Sequence, residues 1–266
     1  MLFYIYIVFF LFFIGCKSEK DKKILKIATT SSLENSGFFR YILPKFETKF
    51  CVKVHLIVKG SKQAIEVGKR GDVDLVFVHV INPEEGDYRN YFEIEKCFYN
   101  YFLIIGPNND PAEIRKVDNA YSAFRQIIEN NHLFLSRADN SGTYYKELSI
   151  WNKLGINPKN YKNYVEAGFN MEKIVFMADQ LEAYTIVDIA TWKYLKNKVK
   201  LRPLYENPND TTMLNQYYIL VVKKFINVNV NYDYAIKFRE WLLKGDGKNL
   251  VLNYKINSDS MIFKFK

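Results

Sequence analysis

The feature that most constrains the fold is a repeated scheme in which a short apolar strand ends in polar residues and a helix follows. The stretches KILKIATTSS, residues 23–32, and VKVHLIVKGS, residues 52–61, both read this way, and GDVDLVFVHV, residues 71–80, is a third strand. Strands that alternate with helices predict a parallel α/β sheet. Ligands of such sheets gather at the carboxyl ends of the strands. Those ends carry five hydroxyl residues: Thr29, Thr30, Ser31, Ser32 and Ser61.

Two long apolar strands divide the chain into two units. They lie in CFYNYFLIIGPNNDP, residues 97–111, and LNQYYILVVKK, residues 214–224, and a second α/β pattern lies between them. At 266 residues the chain is long enough for two modest domains. We therefore expect the chain to cross from one lobe to the other and back. Residues 23–105 with 203–266 are predicted to form lobe I, and residues 106–202 are predicted to form lobe II.

The most unusual polar run is SRADNSGT, residues 136–143, which joins an apolar strand to a helical pattern. Asp, Asn and Ser are common residues at the start of a helix, so a helix cap explains much of it. The run also combines hydroxyls, a glycine and the guanidinium of Arg137 where a helix start offers unpaired N–H groups. That combination is the chemistry of an anion site. Both interpretations remain open from the residues alone.

The first residues are predicted to be a targeting segment rather than part of the fold. The apolar run from Leu2 to Gly15 is shorter than the roughly 20 residues of a membrane-spanning helix and suits a signal peptide. It ends Ile14-Gly15-Cys16, which resembles a bacterial lipobox, so residues 1–16 are expected to be a lipoprotein-type signal peptide with Cys16 lipidated. A plain cleaved signal or an anchor is the alternative. Cys51 and Cys97 then remain, either as a disulfide or as two buried thiols.

Composition argues against several functions. The net charge of +9 comes from lysines dispersed among apolar and polar residues, without the basic blocks that bind nucleic acid. No metal-ligand spacing occurs, and the histidines, His55, His79 and His132, are scattered. His79 is most simply a strand residue. An enzyme using Ser141 as nucleophile lacks an evident base, so we expect no catalysis, no metal and no cofactor.

Four stretches occur in a characteristic order: ATTSSLENSG at 28–37, VKGSKQAIEVGKRGDVDLVFVH at 58–79, SRADNSGTYYKELSIW at 136–151 and EAYTIVDIATW at 182–192. Together they resemble the TupA-type tungstate-binding proteins, the exported substrate-binding subunits of ABC importers, over almost the whole chain from Lys23. The resemblance implies the type II periplasmic-binding-protein fold, with two α/β lobes and an oxyanion in the cleft between them. It also implies a permease with its ATPase as partners.

The resemblance places Arg137 and Thr143 on the family's ligand-contacting Arg and Thr. The sequence departs from the family pattern at Lys62 and Ala138, which replace glycines, and at Ile189, which replaces an arginine. Lys62 either adds charge to the pocket or faces solvent.

A fully deprotonated tetrahedral oxyanion offers only acceptors, so its site should supply only donors. Tungstate is the expected ligand, with molybdate next. Phosphate-binding proteins also carry an Arg-x-Asp-x-Ser-Gly-Thr run, and in that rival interpretation Asp139 accepts the proton of phosphate. A surface lipoprotein without transport is another alternative. We expect a monomeric, extracytoplasmic protein held at the membrane by its lipid. The predicted oxyanion-binding residues are Thr29, Thr30, Ser31, Ser32, Ser61, Arg137, Ser141, Gly142 and Thr143.

Overall fold

The fold is an α/β arrangement around one large sheet, given by a computed structural model that describes residues 23–79, 81–83, 86–256 and 262–265. The strands are β1 Lys23–Thr30, β2 Val52–Lys59, β3 Leu75–His79, β4 Phe92–Gly106, β5 Phe134–Ser136, β6 Tyr164–Glu166, β7 Thr185–Asp188, β8 Arg202–Tyr205 and β9 Leu214–Val222. The α-helices are α1 Ser31–Asn35, α2 Phe38–Phe50, α3 Ser61–Lys69, α4 Tyr88–Tyr91, α5 Ala120–Glu129, α6 Gly142–Leu154, α7 Met171–Leu181, α8 Ile189–Leu195, α9 Tyr232–Leu243 and α10 Asp246–Leu252. Lipidation of Cys16 and the signal peptide fall outside the described residues.

The large sheet has the order β2-β1-β3-β9-β4-β7, and β8 also pairs with β4. The predicted parallel pairing is confirmed for β1 with β2 and with β3, and for the small separate sheet of β5 and β6. Strands β4 and β9 differ from that prediction, because both enter the sheet antiparallel to their neighbours. They run in opposite directions, as expected of one outgoing and one returning strand.

Strand β4 changes partners near its middle. Its first part, up to Tyr101, pairs with β9, whereas Phe102–Ile105 pair with β7 and Ile104–Gly106 pair with β8. Asn100 of β4 and Asn215 of β9 are directly opposite one another, next to this change. The sheet therefore has a first part, made of β1, β2, β3, β9 and the start of β4, and a second part, made of β7, β8 and the end of β4.

Buried side chains cover both faces of the sheet. The strand residues of β1 and β3 pack under α2 and α9 on one side and against α3 on the other. Phe102 and Ile104 of β4 pack instead with α5 and α6 around the buried Trp151. Alternate residues of β4 thus serve different cores, which is the period-two pattern of a strand buried on both faces.

The two internal cysteines are thiols and do not form a disulfide. Cys97 is buried in the core beside α2 and α9, and burial raises the pKa of its thiol well above the ordinary value. Among the described residues, no helix has the length and apolarity needed to span a bilayer.

Candidate functional site

The starts of three helices meet at the carboxyl ends of β1, β2 and β3. Helix α1 follows β1 directly, α3 follows β2 after Gly60, and α6 follows the polar run after β5. A methyl group placed on Gly60 would lie 3.6 Å from the Asn140 carbonyl oxygen, and one placed on Gly142 would lie 2.6 Å from His79 Nε2. The start of α6 therefore packs directly on the strand ends of the first part of the sheet. Because helix starts present unpaired N–H groups, this arrangement favours an anion.

Four of the predicted hydroxyls lie on the strand ends as expected, but their hydrogen bonds differ. Thr29 donates its proton to the Phe77 carbonyl oxygen at 3.0 Å, so this hydroxyl holds β1 to β3. Thr30 Oγ1 lies 3.2 Å from Ser32 Oγ, and Ser32 Oγ lies 3.3 Å from His79 Nε2. Ser61 Oγ is buried and has no hydrogen-bond partner. Its unused donor lies at the start of α3, where a ligand oxygen would accept it.

Ser31 is the first residue of α1, directly after Thr30. Its side chain is half-buried, whereas those of Thr30 and Ser32 are buried. Ser31 therefore adds a hydroxyl and a backbone N–H at the edge of the cluster.

Arg137 is the charged centre of the polar run and is only 3 % exposed. Its Nη2 and Nε donate to Asp139 Oδ2 at 2.5 and 3.2 Å, and its Nη1 lies 3.4 Å from Thr143 Oγ1. Asp139 Oδ1 accepts the Ser141 N–H at 3.2 Å. Both Asp139 oxygens thus accept hydrogen bonds within the loop, and the carboxylate holds Arg137.

The backbone of the loop bends sharply around Asp139. Ala138 and Asn140 have φ angles of 45° and 57°, in the left-handed region that non-glycine residues seldom adopt. This bend directs the Asp139 side chain back to Arg137 and brings Ser141 to the helix start. Ser141 Oγ accepts the Tyr144 N–H at 3.3 Å and caps α6, so the predicted capping role is confirmed. Its hydroxyl proton remains available, as do the N–H groups of Gly142 and Thr143 in the first turn.

A second buried carboxylate lies within electrostatic range of Arg137. Asp188 is fully buried at the start of α8, where it accepts the N–H groups of Ala190 and Thr191 and the Thr191 hydroxyl. Burial raises the pKa of Asp188, whereas these hydrogen bonds and the Arg137 charge oppose the shift. Because the Arg137 charge also acts on Asp139 and Asp188, dipoles and hydroxyl donors would act together with the guanidinium on a bound anion.

His79 is the principal site residue that the sequence interpretation missed. Its imidazole is 1 % exposed, stacks on Tyr217 and Phe102, and hydrogen-bonds Asn215 Oδ1 through Nδ1 at 2.6 Å. Burial, with the positive charges of Arg137 and Lys146, lowers its pKa to about 4, against the opposing effect of the Asn215 hydrogen bond. The only sequence signal was its position at the end of β3, where ligands of α/β sheets gather.

A groove of about 660 Å³ adjoins the cluster on the side of α3 and α6. Ser61 lies on its wall beside Lys62, with Tyr145 and Lys146 of α6 opposite. Lys62 is exposed and also lines this groove, so its charge lies at the groove. Ser61 is the predicted oxyanion-binding residue on the groove wall, and Lys62 and Lys146 contribute positive charge near it.

Within the described part of the chain, no group of three or more His, Cys, Asp or Glu side chains is arranged to hold a metal ion. The site consists instead of hydroxyls, helix N–H groups and one guanidinium. These groups are donors. The acceptors near them include the imidazole, whose proton position is variable, and Glu34 of α1, whose buried Oε2 has no hydrogen-bond partner among the described residues.

Comparisons with known proteins point to one family of binding proteins. The PBP superfamily domain matches residues 17–246. The tungstate-binding protein TupA of Peptoclostridium acidaminophilum is 35 % identical over 245 residues, which cover 90 % of this chain and 84 % of that protein. The crystal structure of the tungstate ABC transporter from Geobacter sulfurreducens is 36 % identical with a TM-score of 0.78, and covers 87 % of this chain and 98 % of its own. The tungstate-binding protein TupA from Desulfovibrio alaskensis G20 is 28 % identical with a TM-score of 0.79, covering 91 % and 98 %.

Proposed function

This chain belongs to the PBP superfamily and, within it, to the family of TupA tungstate-binding proteins, and we propose that it captures tungstate outside the cytoplasm for an ABC importer. The relatives are solute-binding proteins, and binding rather than catalysis is the function supported here. Molybdate has the same tetrahedral shape and charge, and is the nearest alternative ligand. The permease and its ATPase are the proposed partners of a monomeric binding protein.

The observation that carries the proposal is the unpartnered hydroxyl of Ser61. A buried polar atom without a hydrogen bond is costly, and it is retained where a ligand supplies the missing partner. Ser61 lies at the start of α3, on the side of the site opposite to Arg137 and the start of α6. An oxyanion between them would accept from Ser61, Thr30, Ser31 and Ser32 on one side, and from Arg137, Ser141, Gly142 and Thr143 on the other. Thr29 would support this set through β1.

Phosphate is the rival ligand, and Asp139 separates the two. Monohydrogen phosphate carries a proton and gains from an acceptor, whereas tungstate is fully deprotonated near neutral pH and gains only from donors. Both Asp139 oxygens are already hydrogen-bonded to Arg137 and to the Ser141 N–H. These bonds orient the carboxylate toward Arg137, and the tungstate and phosphate affinities of Asp139→Asn distinguish the two ligands.

The lobes remain part of the proposal. We propose that the hinge lies where β4 exchanges β9 for β7 and β8, which moves the predicted lobe boundaries from 105 and 203 to about 101 and 214. Opening at this point would separate Ser61 from Arg137 and admit the ligand through the groove. Closure would return the start of α6 to His79.

Titration calorimetry of the purified protein with tungstate, molybdate, sulfate and phosphate tests the ligand. We expect tungstate to bind at least tenfold more tightly than phosphate. Ser61→Ala should weaken tungstate binding by about 0.5 to 1.5 kcal/mol, the net value of one neutral hydrogen bond. The free energy of unfolding of the ligand-free variant should not fall, because the removed hydroxyl has no partner in the protein. Tight phosphate binding without tungstate binding would contradict the proposal.

We further propose that the mature protein is anchored to the membrane by lipid on Cys16. An acyl chain supplies membrane affinity in proportion to its length, and the run Ile14-Gly15-Cys16 resembles a lipobox. Cys16→Ser should therefore move the protein expressed in its bacterial host from the membrane fraction to the soluble fraction. Cys51→Ser is a matched control that should leave the partitioning unchanged. Equal partitioning of wild type and Cys16→Ser would exclude lipidation there.

A further inference from the structure

A chain of buried hydrogen bonds connects the site to the strands that link the two parts of the sheet. Ser32 Oγ lies 3.3 Å from His79 Nε2, and His79 Nδ1 lies 2.6 Å from Asn215 Oδ1. Asn215 Nδ2 lies 2.7 Å from Asn100 Oδ1 and 3.2 Å from Tyr217 Oη. His79, Asn100 and Asn215 are each 1 % exposed or less. The sequence motifs gave Ser32 a ligand-binding role but gave none to His79, Asn100 or Asn215.

The hydrogen bonds of this series can be oriented in two ways. In the first, His79 Nδ1–H donates to Asn215 Oδ1 and Asn215 Nδ2 donates to Asn100 Oδ1, which leaves the Asn100 Nδ2 group buried without a partner. In the second, both amides are rotated by 180°. Asn100 Nδ2 then donates to Asn215 Oδ1, Tyr217 Oη donates to the same oxygen, and Asn215 Nδ2 donates to His79 Nδ1.

The two arrangements leave similar numbers of buried groups without a partner. The first leaves both Asn100 N–H protons unpartnered, whereas the second leaves one N–H proton on each amide and the Asn100 carbonyl oxygen, so the ligand's requirement decides between them. In the second arrangement Nδ1 accepts from Asn215, and the single proton of the neutral imidazole is on Nε2. This nitrogen faces Ser32 Oγ and the start of α6 at Gly142.

We propose that His79 is a positioning residue that holds its proton on Nε2, donates it to Ser32 Oγ, and so directs the Ser32 hydroxyl proton to the bound oxyanion. The inference rests on the proposed oxyanion site. A serine hydroxyl has one proton, so a bare Nε2 would accept that proton and leave only a lone pair toward the ligand. A ligand that offers only acceptors therefore requires each group to donate to the next. Asn100 donates to Asn215, Asn215 donates to His79, and His79 donates to Ser32.

The surroundings of the ring keep it neutral. The imidazole is stacked between Phe102 of β4 and Tyr217 of β9, without a carboxylate hydrogen bond, and the positive charges that act on it are those of Arg137 and Lys146. Its pKa is correspondingly low, at about 4. Oxyanion affinity should therefore show no titration of His79 between pH 6 and pH 8.

The proton can be located by long-range ¹H–¹⁵N correlation spectra of the purified protein, which distinguish a protonated from a bare ring nitrogen. We expect Nε2 protonated and Nδ1 bare at pH 7, in the free protein and with tungstate bound. Nδ1 protonated with Nε2 bare in the tungstate-bound protein would overturn the inference. The spectrum of the free protein does not depend on the ligand's identity, so it remains decisive even if tungstate fails to bind and the proposed function is wrong.

Binding variants test whether His79 acts through Ser32. His79→Gln keeps a donor near the Nε2 position, whereas the shorter amide of His79→Asn does not reach Ser32. We expect tungstate affinity to fall about tenfold in His79→Asn and by less than about threefold in His79→Gln, since one hydrogen bond is redirected. In a Ser32→Ala background the difference between the two variants should disappear. An undiminished difference in that background would overturn the inference.

Discussion

Arg137→Ala is expected to weaken tungstate binding by about 3 to 5 kcal/mol, a factor of roughly a hundred to several thousand. The guanidinium is almost fully buried and forms the charged centre of the site. Its removal deletes the charge-assisted donors and also leaves the Asp139 carboxylate uncompensated beside a dianion. Titration calorimetry at one pH and one salt concentration measures the effect, and unaltered tungstate affinity in this variant would refute our assignment of the loop.

Two matched variants separate the charge of Arg137 from its shape. Arg137→Lys keeps the positive charge but loses the planar fork, so we expect a smaller loss of about 1.5 to 3 kcal/mol. Asp139→Asn keeps an acceptor for the Ser141 N–H and removes a negative charge from the site. Tungstate affinity should change by less than about threefold in this variant, or increase. A large loss of phosphate affinity there would instead favour the phosphate interpretation.

The sequence located the parts of the site that depend on local pattern. A strand that ends in hydroxyl residues and is followed by a helix places those hydroxyls at the end of the strand. Thr30, Ser32 and Ser61 therefore lie at the positions that the sequence pattern predicted. The polar run at residues 136–143 likewise forms both a cap and the pairing of Arg137 with Asp139. These interactions join residues close together in the chain, and short motifs therefore predict them.

The sequence interpretation missed the groups that meet only through tertiary pairing. His79 and Asn215 are 136 positions apart, and Asn215 reaches Asn100 only because β4 and β9 align them. The same pairing makes β4 and β9 antiparallel, which the strand-helix alternation did not indicate. Thr29 shows the opposite case. Its hydroxyl lies in the predicted motif, but it donates its hydrogen bond to the Phe77 carbonyl oxygen of the neighbouring strand β3. Composition and spacing carry no information about such partners.

Glu147 is a second buried ionisable group that the sequence did not single out. It lies on α6 below the loop of Arg137 and accepts hydrogen bonds from Ser136 Oγ at 2.8 Å, Trp151 Nε1 at 3.1 Å and Tyr164 Oη at 2.7 Å. Burial raises its pKa from 4.5 to about 7, against the opposing effect of these donors. The native protein therefore binds more protons at this position than the unfolded chain between these two pH values.

The free energy of unfolding should fall by about 3 kcal/mol, through Glu147 alone, as pH rises from 4.5 to about 7. His79 acts in the opposite sense: its pKa falls from 6.5 to about 4, so its contribution to stability rises with pH over that window. Between pH 4.5 and pH 6.5 the two groups change the free energy of unfolding in opposite directions by nearly equal amounts. Glu147→Gln keeps the acceptor for Trp151 and Tyr164 and donates to Ser136, so it removes the titration with little change in packing.

Denaturant unfolding of the ligand-free protein at pH 5 and pH 8 isolates the Glu147 contribution as the difference between wild type and Glu147→Gln. We expect wild type to lose about 3 kcal/mol relative to the variant over this range, because ionisation of a dry carboxyl is unfavourable in the native state only. A constant difference between wild type and Glu147→Gln would mean that Glu147 titrates equally in both states.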